Sequence, residues 1–350
     1  PSAGSVMYTA RFTDESLSGT PQTTESVELR NDRMSSGQVV TGLDVGGALN
    51  WELSDDQFFD DFLEAAMMSR WVAAESFLVT VTLTPDPLNN QKASLLMDDG
   101  LGGSFSAYIH LGTILTFTTV AGEFVVVQVV SEPVIGPTDV IVDVVTKRDE
   151  SSVSLESLTV SVPAYADIGE EQISFLMGKS YKDIDHLLTT DNHSQTYTGT
   201  LVSGFSVTAA YGEIVTGTFN TMANGYLQEY PSYEQKVVTA GGTITAAGTR
   251  SPFNASTDFP LVMFGGEPTD FCIENLTIEL DNGLTPQNCI GKAAPTGYTL
   301  GTAAVSISTS IYLSDTSYDA FMPAKLSQEP VSMLITMENG DGGYAFELRA

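Results

Sequence analysis

Residues 45 to 71 constrain the fold more than any other stretch, because they read as a strand that runs straight into an amphipathic helix. Val45, Gly47, Leu49, Trp51 and Leu53 alternate with Gly46, Ala48, Asn50 and Glu52, the period of two of a half-buried strand. A helix is predicted next. Ser54 with Gln57 forms a capping box, Asp55 and Asp56 stand where the helix dipole favours anions, and Leu53 staples onto Phe58. Phe58, Phe59, Phe62, Leu63, Ala66 and Met67 then make one apolar stripe, and Arg70 closes the last turn. A shortened copy follows at residues 305 to 323. Val305, Ile307, Thr309, Ile311 and Leu313 share a face, and Ser314, Asp315, Tyr318 and Phe321 precede Pro323, which is predicted to stop the helix. Nothing in either copy is catalytic, so the motif describes a scaffold.

Composition narrows what such a scaffold does. The 350 residues suffice for one large β domain or two smaller ones. Fourteen basic residues against 44 acidic ones give a net charge of −30, which argues against gripping nucleic acid through its phosphates. Spread over many surfaces, the same charge also serves plain solubility. No run of about 18 apolar residues appears, and the first residues carry neither a charged nor an apolar leader region, so a soluble chain with no membrane contact is expected. Cys272 and Cys289 read as buried free thiols rather than a disulfide or zinc ligands.

Thr, Val, Ser and Gly dominate, and short alternating segments separated by Asp-Gly, Asn-Gly and Gly-Gly turns predict a mainly β chain. Strands are expected over residues 24 to 30, 37 to 53, 76 to 84, 113 to 120, 123 to 131, 139 to 146, 153 to 162, 197 to 209, 213 to 222, 273 to 281, 303 to 313, 331 to 338 and 343 to 349. The segment Asn339 to Gly343 is expected to join the last two as a hairpin. Residues 76 to 152 read as a small all-β module inserted into a larger, discontinuous domain made of residues 1 to 75 and 153 to 350. Residues 225 to 270 show little periodicity, and a long irregular segment is usually functional or interfacial.

Chemistry-bearing motifs are scarce. His110, His186 and His193 are the only histidines; the last two, with Asp185 and Asp191, would bind metal only if folded together, and a polar surface loop is the plainer reading. Asp98 to Gly100 and Asp281 to Gly283 read as turns, without the spacing of a calcium loop. No phosphate-binding loop, nucleophile elbow or zinc-protease helix is present, and in so acidic a chain a pair of carboxylates is uninformative. Glycosylation-type triplets at Asn192, Asn254 and Asn275 are of the kind that arises by chance. Catalytic residues, cofactor ligands and metal ligands are therefore all expected to be none.

What remains is surface. With the helical stripe covering one face of the main sheet, the opposite face carries Asn50, Glu52, Asn275, Thr277, Glu279, Ser306, Ser308 and Ser310. Such a face is ordinarily just solvated. In a ring-forming protein the same eight residues would line a channel, where a hydroxyl-rich, anionic wall avoids sticking to a passing polyanion.

The segment from Ser26 to Trp71 resembles the tail tube proteins of long-tailed, non-contractile bacteriophages and related viruses. The matching pieces are an acidic strand ending in Arg30, the Asp32-Arg33 turn, the glycine-spaced strand from Gly42 to Trp51, and the helix around Asp60 to Met67. Gly199 to Tyr226 is similar to the family's hairpin, turning through Gly212-Glu213, and Glu274 to Phe321 is similar to its closing strands and second helical turn. Residues 76 to 152 are least like a minimal tube subunit.

The resemblance implies an antiparallel β-sandwich or partial barrel with a flanking helix. It also implies a homo-oligomeric, hexameric ring, stacked into a conduit through which viral DNA passes without specific binding. The other partners it implies are tape measure, terminator and baseplate proteins, with assembly in the host cytoplasm and residence in the virion tail. Residues 1 to 25 and 225 to 270 are then expected as joints between copies. Two other readings stand beside it. One is another tail, baseplate or capsid-associated β protein. The other is an adhesin or carbohydrate-binding β-sandwich, with Tyr226, Tyr230 and Tyr233 as an aromatic platform.

Overall fold

The computed structural model describes residues 6–27, 37–87, 89–100, 104–120, 124–136, 139–146, 153–181, 193–229, 231–259, 262–265, 267–268, 272–312, 314, 318, 321–323, 326, 331–339 and 342–348. Antiparallel strands dominate, and the chain divides into two compact units. The first comprises residues 1–70, 167–255 and 273–310; the second comprises 71–166, 256–272 and 311–350.

The first unit is organised by a nine-stranded sheet. Its main path runs Asp14–Glu15, Gln38–Glu52, Thr216–Met222, His193–Ala210, Ile273–Asp281 and Ala304–Ile311. Ser18–Glu25 pairs with the early part of strand 38–52, making a long ribbon. Strand 193–210 serves two sets of neighbours. Its first part lies between Phe175–Tyr181 and Gly225–Glu229, and its second between strands 216–222 and 273–281. The change of partners falls at Gly199, whose φ of 58° is left-handed and where a Cβ would come within 2.5 Å of the Asn224 side chain. Strand 38–52 turns at Gly46 and Gly47, where a Cβ on Gly47 would stand 2.5 Å from the Ser16 carbonyl oxygen.

Helix α1, Gln57–Met67, covers one face of this sheet. Phe58, Phe59, Phe62, Leu63, Ala65 and Ala66 are buried, and Trp51, Phe59 and Phe219 stack with centroids about 5 to 6.5 Å apart. Trp51 lies opposite Gly217, where a Cβ would meet the indole at 2.4 Å. The helix start differs from the expected capping box. Ser54 is fully buried and its backbone bridges Pro252, so it is committed to strand-like pairing before the helix begins. Asp56 is the N-cap by backbone geometry, but its carboxylate accepts the Gly248 N–H at 2.8 Å rather than a helix amide. Tertiary pairing has displaced the local cap. At the other end Met68 takes the left-handed conformation, and Arg70 pairs with Glu171 at 3.1 Å.

The segments expected to be irregular joints carry regular structure in this unit. Val6–Tyr8 pairs in parallel with Thr243–Thr245, and α2, Tyr233–Thr239, is capped by Ser232, whose hydroxyl accepts the Gln235 N–H. The strand partners Val6–Tyr8 and Thr243–Thr245 are far apart in sequence, so local periodicity gave no sign of their pairing.

The second unit contains a closed β barrel. Strands Asn89–Asp98, Glu75–Asp86, Val153–Val162, Ile114–Thr118, Phe124–Val129 and Asp139–Thr146 follow in spatial order, and strand 139–146 pairs back to strand 89–98. Alternate side chains point inward: Val79, Val81, Leu83, Leu95, Met97, Leu115, Phe117, Val127, Val142 and Val160 are all buried in one cluster. A smaller sheet joins Val262–Phe264, Met333–Glu338 and Gly343–Leu348, and its last two strands form the hairpin expected around Asn339. The strands expected at 139–146, 153–162 and 273–281 have those limits.

The helix of the shortened copy falls largely outside the described residues, although the Tyr318 N–H donates to the Ser314 carbonyl at 2.9 Å, a helical spacing. Both cysteines are free, but exposed rather than buried. Cys289 sits on a hairpin and Cys272 directly before strand 273–281, positions that the main core does not cover.

Candidate functional site

The candidate surface is the face of the nine-stranded sheet that points away from its aromatic core. Residues directly opposite each other in an antiparallel pair point to the same side. One row therefore runs Leu49, Phe219, Phe205, Leu280 into the core, and the next runs Asn50, Thr218, Ser206, Glu279 out of it. The following outward row is Glu52, Thr216, Thr208, Thr277, and Asn275 lies opposite Ala210 beyond it. Ser306 joins the same face by donating to Glu279 Oε2 at 3.4 Å, and Ser308 and Ser310 follow at a period of two.

All eight residues singled out from the sequence thus fall on one face. Asn50, Glu52 and Thr277 are half-buried and the other five exposed. The face is knitted by its own polar groups: Thr218 donates to Asn50 Oδ1 at 2.7 Å, and the Thr208 and Thr277 hydroxyls are 3.4 Å apart.

The sequence reading missed Ser206, Thr208, Thr216 and Thr218, which complete the rows, and Asp14 and Asp281, which add charge opposite Asn50 and Gly204. The alternation in strands 193–210 and 216–222 carries the same signal and would have found the first four. Asp14 sits on a two-residue strand too short to show a period. Strands 38–52, 193–210, 216–222, 273–281 and 304–311 contain no Lys or Arg at all. These five strands therefore present hydroxyls, amides and carboxylates without Lys or Arg, a composition that disfavours a polyanion within about the 8 to 10 Å at which charge is felt near physiological salt.

Two titratable groups elsewhere in this unit are perturbed. Burial works against the charge of Glu229, but hydrogen bonds from Lys236 and Thr196, together with the Lys236 charge, outweigh it and hold the carboxyl below its ordinary range. Burial, with the Asp44 charge adding to it, pushes the Tyr298 phenol up to about 12, and its hydroxyl donates to the Ala223 carbonyl at 2.7 Å.

Among the described residues, other candidate chemistry is not assembled. Among the described residues no group of three or more His, Cys, Asp or Glu is placed to hold a metal, and no helix is long and apolar enough to cross a membrane. Asp185, His186 and Asp191 lie outside the described residues. Asp98 and Asp281 make the expected turns, accepting the Gly100 and Gly283 N–H groups at 2.8 and 2.9 Å. Of the proposed aromatic platform, Tyr226 is half-buried, packed on Tyr197 at 5.6 Å and against Gly19, Tyr233 is half-buried on α2, and Tyr230 lies outside the described residues.

A family model described as phage tail tube protein matches residues 1–349. No curated protein matches the chain.

Proposed function

The chain belongs to the phage tail tube protein family, with a structural role in the viral tail, and from that premise we propose that it is the subunit of a hollow tube. Copies form rings, six to a ring, and the rings stack into the conduit for genome ejection. The outward rows of the nine-stranded sheet line the bore: Asn50, Glu52, Asn275, Thr277, Glu279, Ser306, Ser308 and Ser310 form the wall that DNA slides past. The observation that carries this reading is the absence of Lys and Arg from the five strands that build the face. A wall meant to hold DNA needs cations that release counterions; a wall meant to pass it needs none.

Tape measure, terminator and baseplate proteins are the partners this role requires, and assembly takes place in the host cytoplasm. Residues 76–152, whose barrel also takes in strand 153–162, form an inserted module that a minimal tube subunit does not need.

Negative-stain images of the purified chain test the role: hollow tubes of uniform bore are expected, and a preparation that stays monomeric under all assembly conditions rejects it. The lining is tested separately by Glu52→Lys with Glu279→Lys. Tubes of this variant should retain DNA in a manner that weakens with salt, and unchanged passage of DNA would place the face elsewhere.

A further inference from the structure

The two ends of the nine-stranded sheet differ in a way that bears on how copies meet. Strand 273–281 starts opposite Ala210 and ends opposite Gly204, so the turn after Ala210 and the hairpin after Asp281 lie at opposite ends of the same sheet. The hairpin is built on Thr285–Pro286 paired with Tyr298–Thr299. It is stiffened by Gln287 N–H to the Gly297 carbonyl and Thr296 N–H to the Gln287 carbonyl, both 2.9 Å, and braced by Leu43 N–H to the Ala293 carbonyl at 2.7 Å.

At its tip Ile290 is fully exposed, and Lys292 stands two residues on. Lys292 is unusual in so acidic a chain. Arg70, Lys179, Lys236 and Arg250 each pair with an acid, Arg11 donates to the Arg250 carbonyl and Lys92 has a partner, so among the described residues Lys292 is the basic side chain left without one. A fixed knob carrying one apolar and one cationic group is thus held out to solvent.

The opposite end offers the complement. Tyr211 is 77% exposed and Ile214 41% exposed, and they flank the exposed Glu213 on a turn closed by Glu213 N–H to the Ala210 carbonyl at 3.0 Å. An apolar pair around an anion at one end matches an apolar residue beside a cation at the other.

We propose that copies meet head to tail along the sheet axis, Ile290 and Lys292 of one seated on Tyr211, Glu213 and Ile214 of the next. The inference rests on the tube reading and names the contact that stacks its rings. Because the two patches differ and lie at opposite ends of the sheet, the contact repeats along the sheet axis rather than pairing two copies face to face. It also sets opposite charges together where subunits of net charge −30 otherwise repel.

The test compares tube assembly, by sedimentation and negative stain, for the wild-type chain, Lys292→Glu, Glu213→Lys and the double swap, with circular dichroism as the folding check. Each single variant should raise the protein concentration needed for tubes by about tenfold or stop at single rings. The double swap should restore assembly. Tubes from both single variants at the wild-type concentration overturn the contact and leave the tube reading standing. A folded double swap no better than the single variants overturns it too. A wild-type chain that forms no tubes overturns the tube reading and the contact with it. Should a charge variant misfold, Cys272→Ser with Glu213→Cys decides: a short bismaleimide should link the new thiol to Cys289 of the next copy as a ladder of multimers, and its absence from assembled tubes overturns the contact.

Discussion

The barrel of the second unit and the sheet of the first are written in the same alternation, and they come to different ends. In the barrel, strand 139–146 pairs back to strand 89–98, so the inward rows of Leu95, Met97, Val127 and Val142 face one another and fill the interior. In the sheet, the inward rows are met by α1, the outward rows are half-buried or exposed, and strand 304–311 stands at the end of the path. Closure makes the barrel self-sufficient, whereas the open sheet keeps an edge and a polar face for other molecules. On the tube reading proposed above, the contacts between copies fall to the first unit.

The strongest way to break this comparison is to empty each core in turn. Trp51→Ala removes the centre of the aromatic cluster and should cost roughly 3 to 5 kcal/mol, while Leu95→Ala in the barrel should cost roughly 2 to 5 kcal/mol. Hydrogen exchange read by peptide should then show residues 216–222 losing protection in the first variant and residues 89–98 in the second. Loss of protection in both places from either substitution would mean that the two units do not stand independently.

Gly47→Ala asks whether the sheet depends on its backbone crossing. The added Cβ meets the Ser16 carbonyl at a φ of 152°, and a loss of about 1 to 3 kcal/mol is expected in urea titration. An unchanged midpoint would show that the crossing can relax.

Thr218→Val sharpens the contrast between the two faces. It removes the hydrogen bond to Asn50 from a half-exposed wall where water can replace it, so about 1 kcal/mol or less should be lost, against several for the core. A loss as large as that of Trp51→Ala would mean that the outward face is packed rather than open.

The smallest effects lie in the pH dependence. The Glu229 carboxyl is held low in the folded chain, so its stabilisation is present above the unfolded value and fades as pH falls through the folded one. Glu229→Gln should flatten that acid limb in thermal melts recorded from pH 6 downward. Tyr298 is raised to about 12, so its contribution is whole below the ordinary phenol value near 10 and fades as pH climbs towards 12. Tyr298→Phe should remove this alkaline loss, and melts of both variants that parallel the wild type at every pH would deny either group a role.

Much of this molecule was legible from residue order. Alternation placed strands 139–146, 153–162 and 273–281, the apolar stripe placed α1, and parity put Asn50, Glu52, Asn275, Thr277, Glu279 and the three serines on one face. A period of two fixes the side to which a residue points because the pleat is local. It is silent about which strand lies alongside. Only the tertiary structure could close the barrel, pair Val6–Tyr8 with Thr243–Thr245, draw Ser54 into a bridge with Pro252 so that the helix begins at Gln57, and set the Ile290 hairpin opposite the Tyr211 turn. Each of those depends on backbone partners distant in sequence, and hydrogen bonds between them are chosen by the packing of the whole unit.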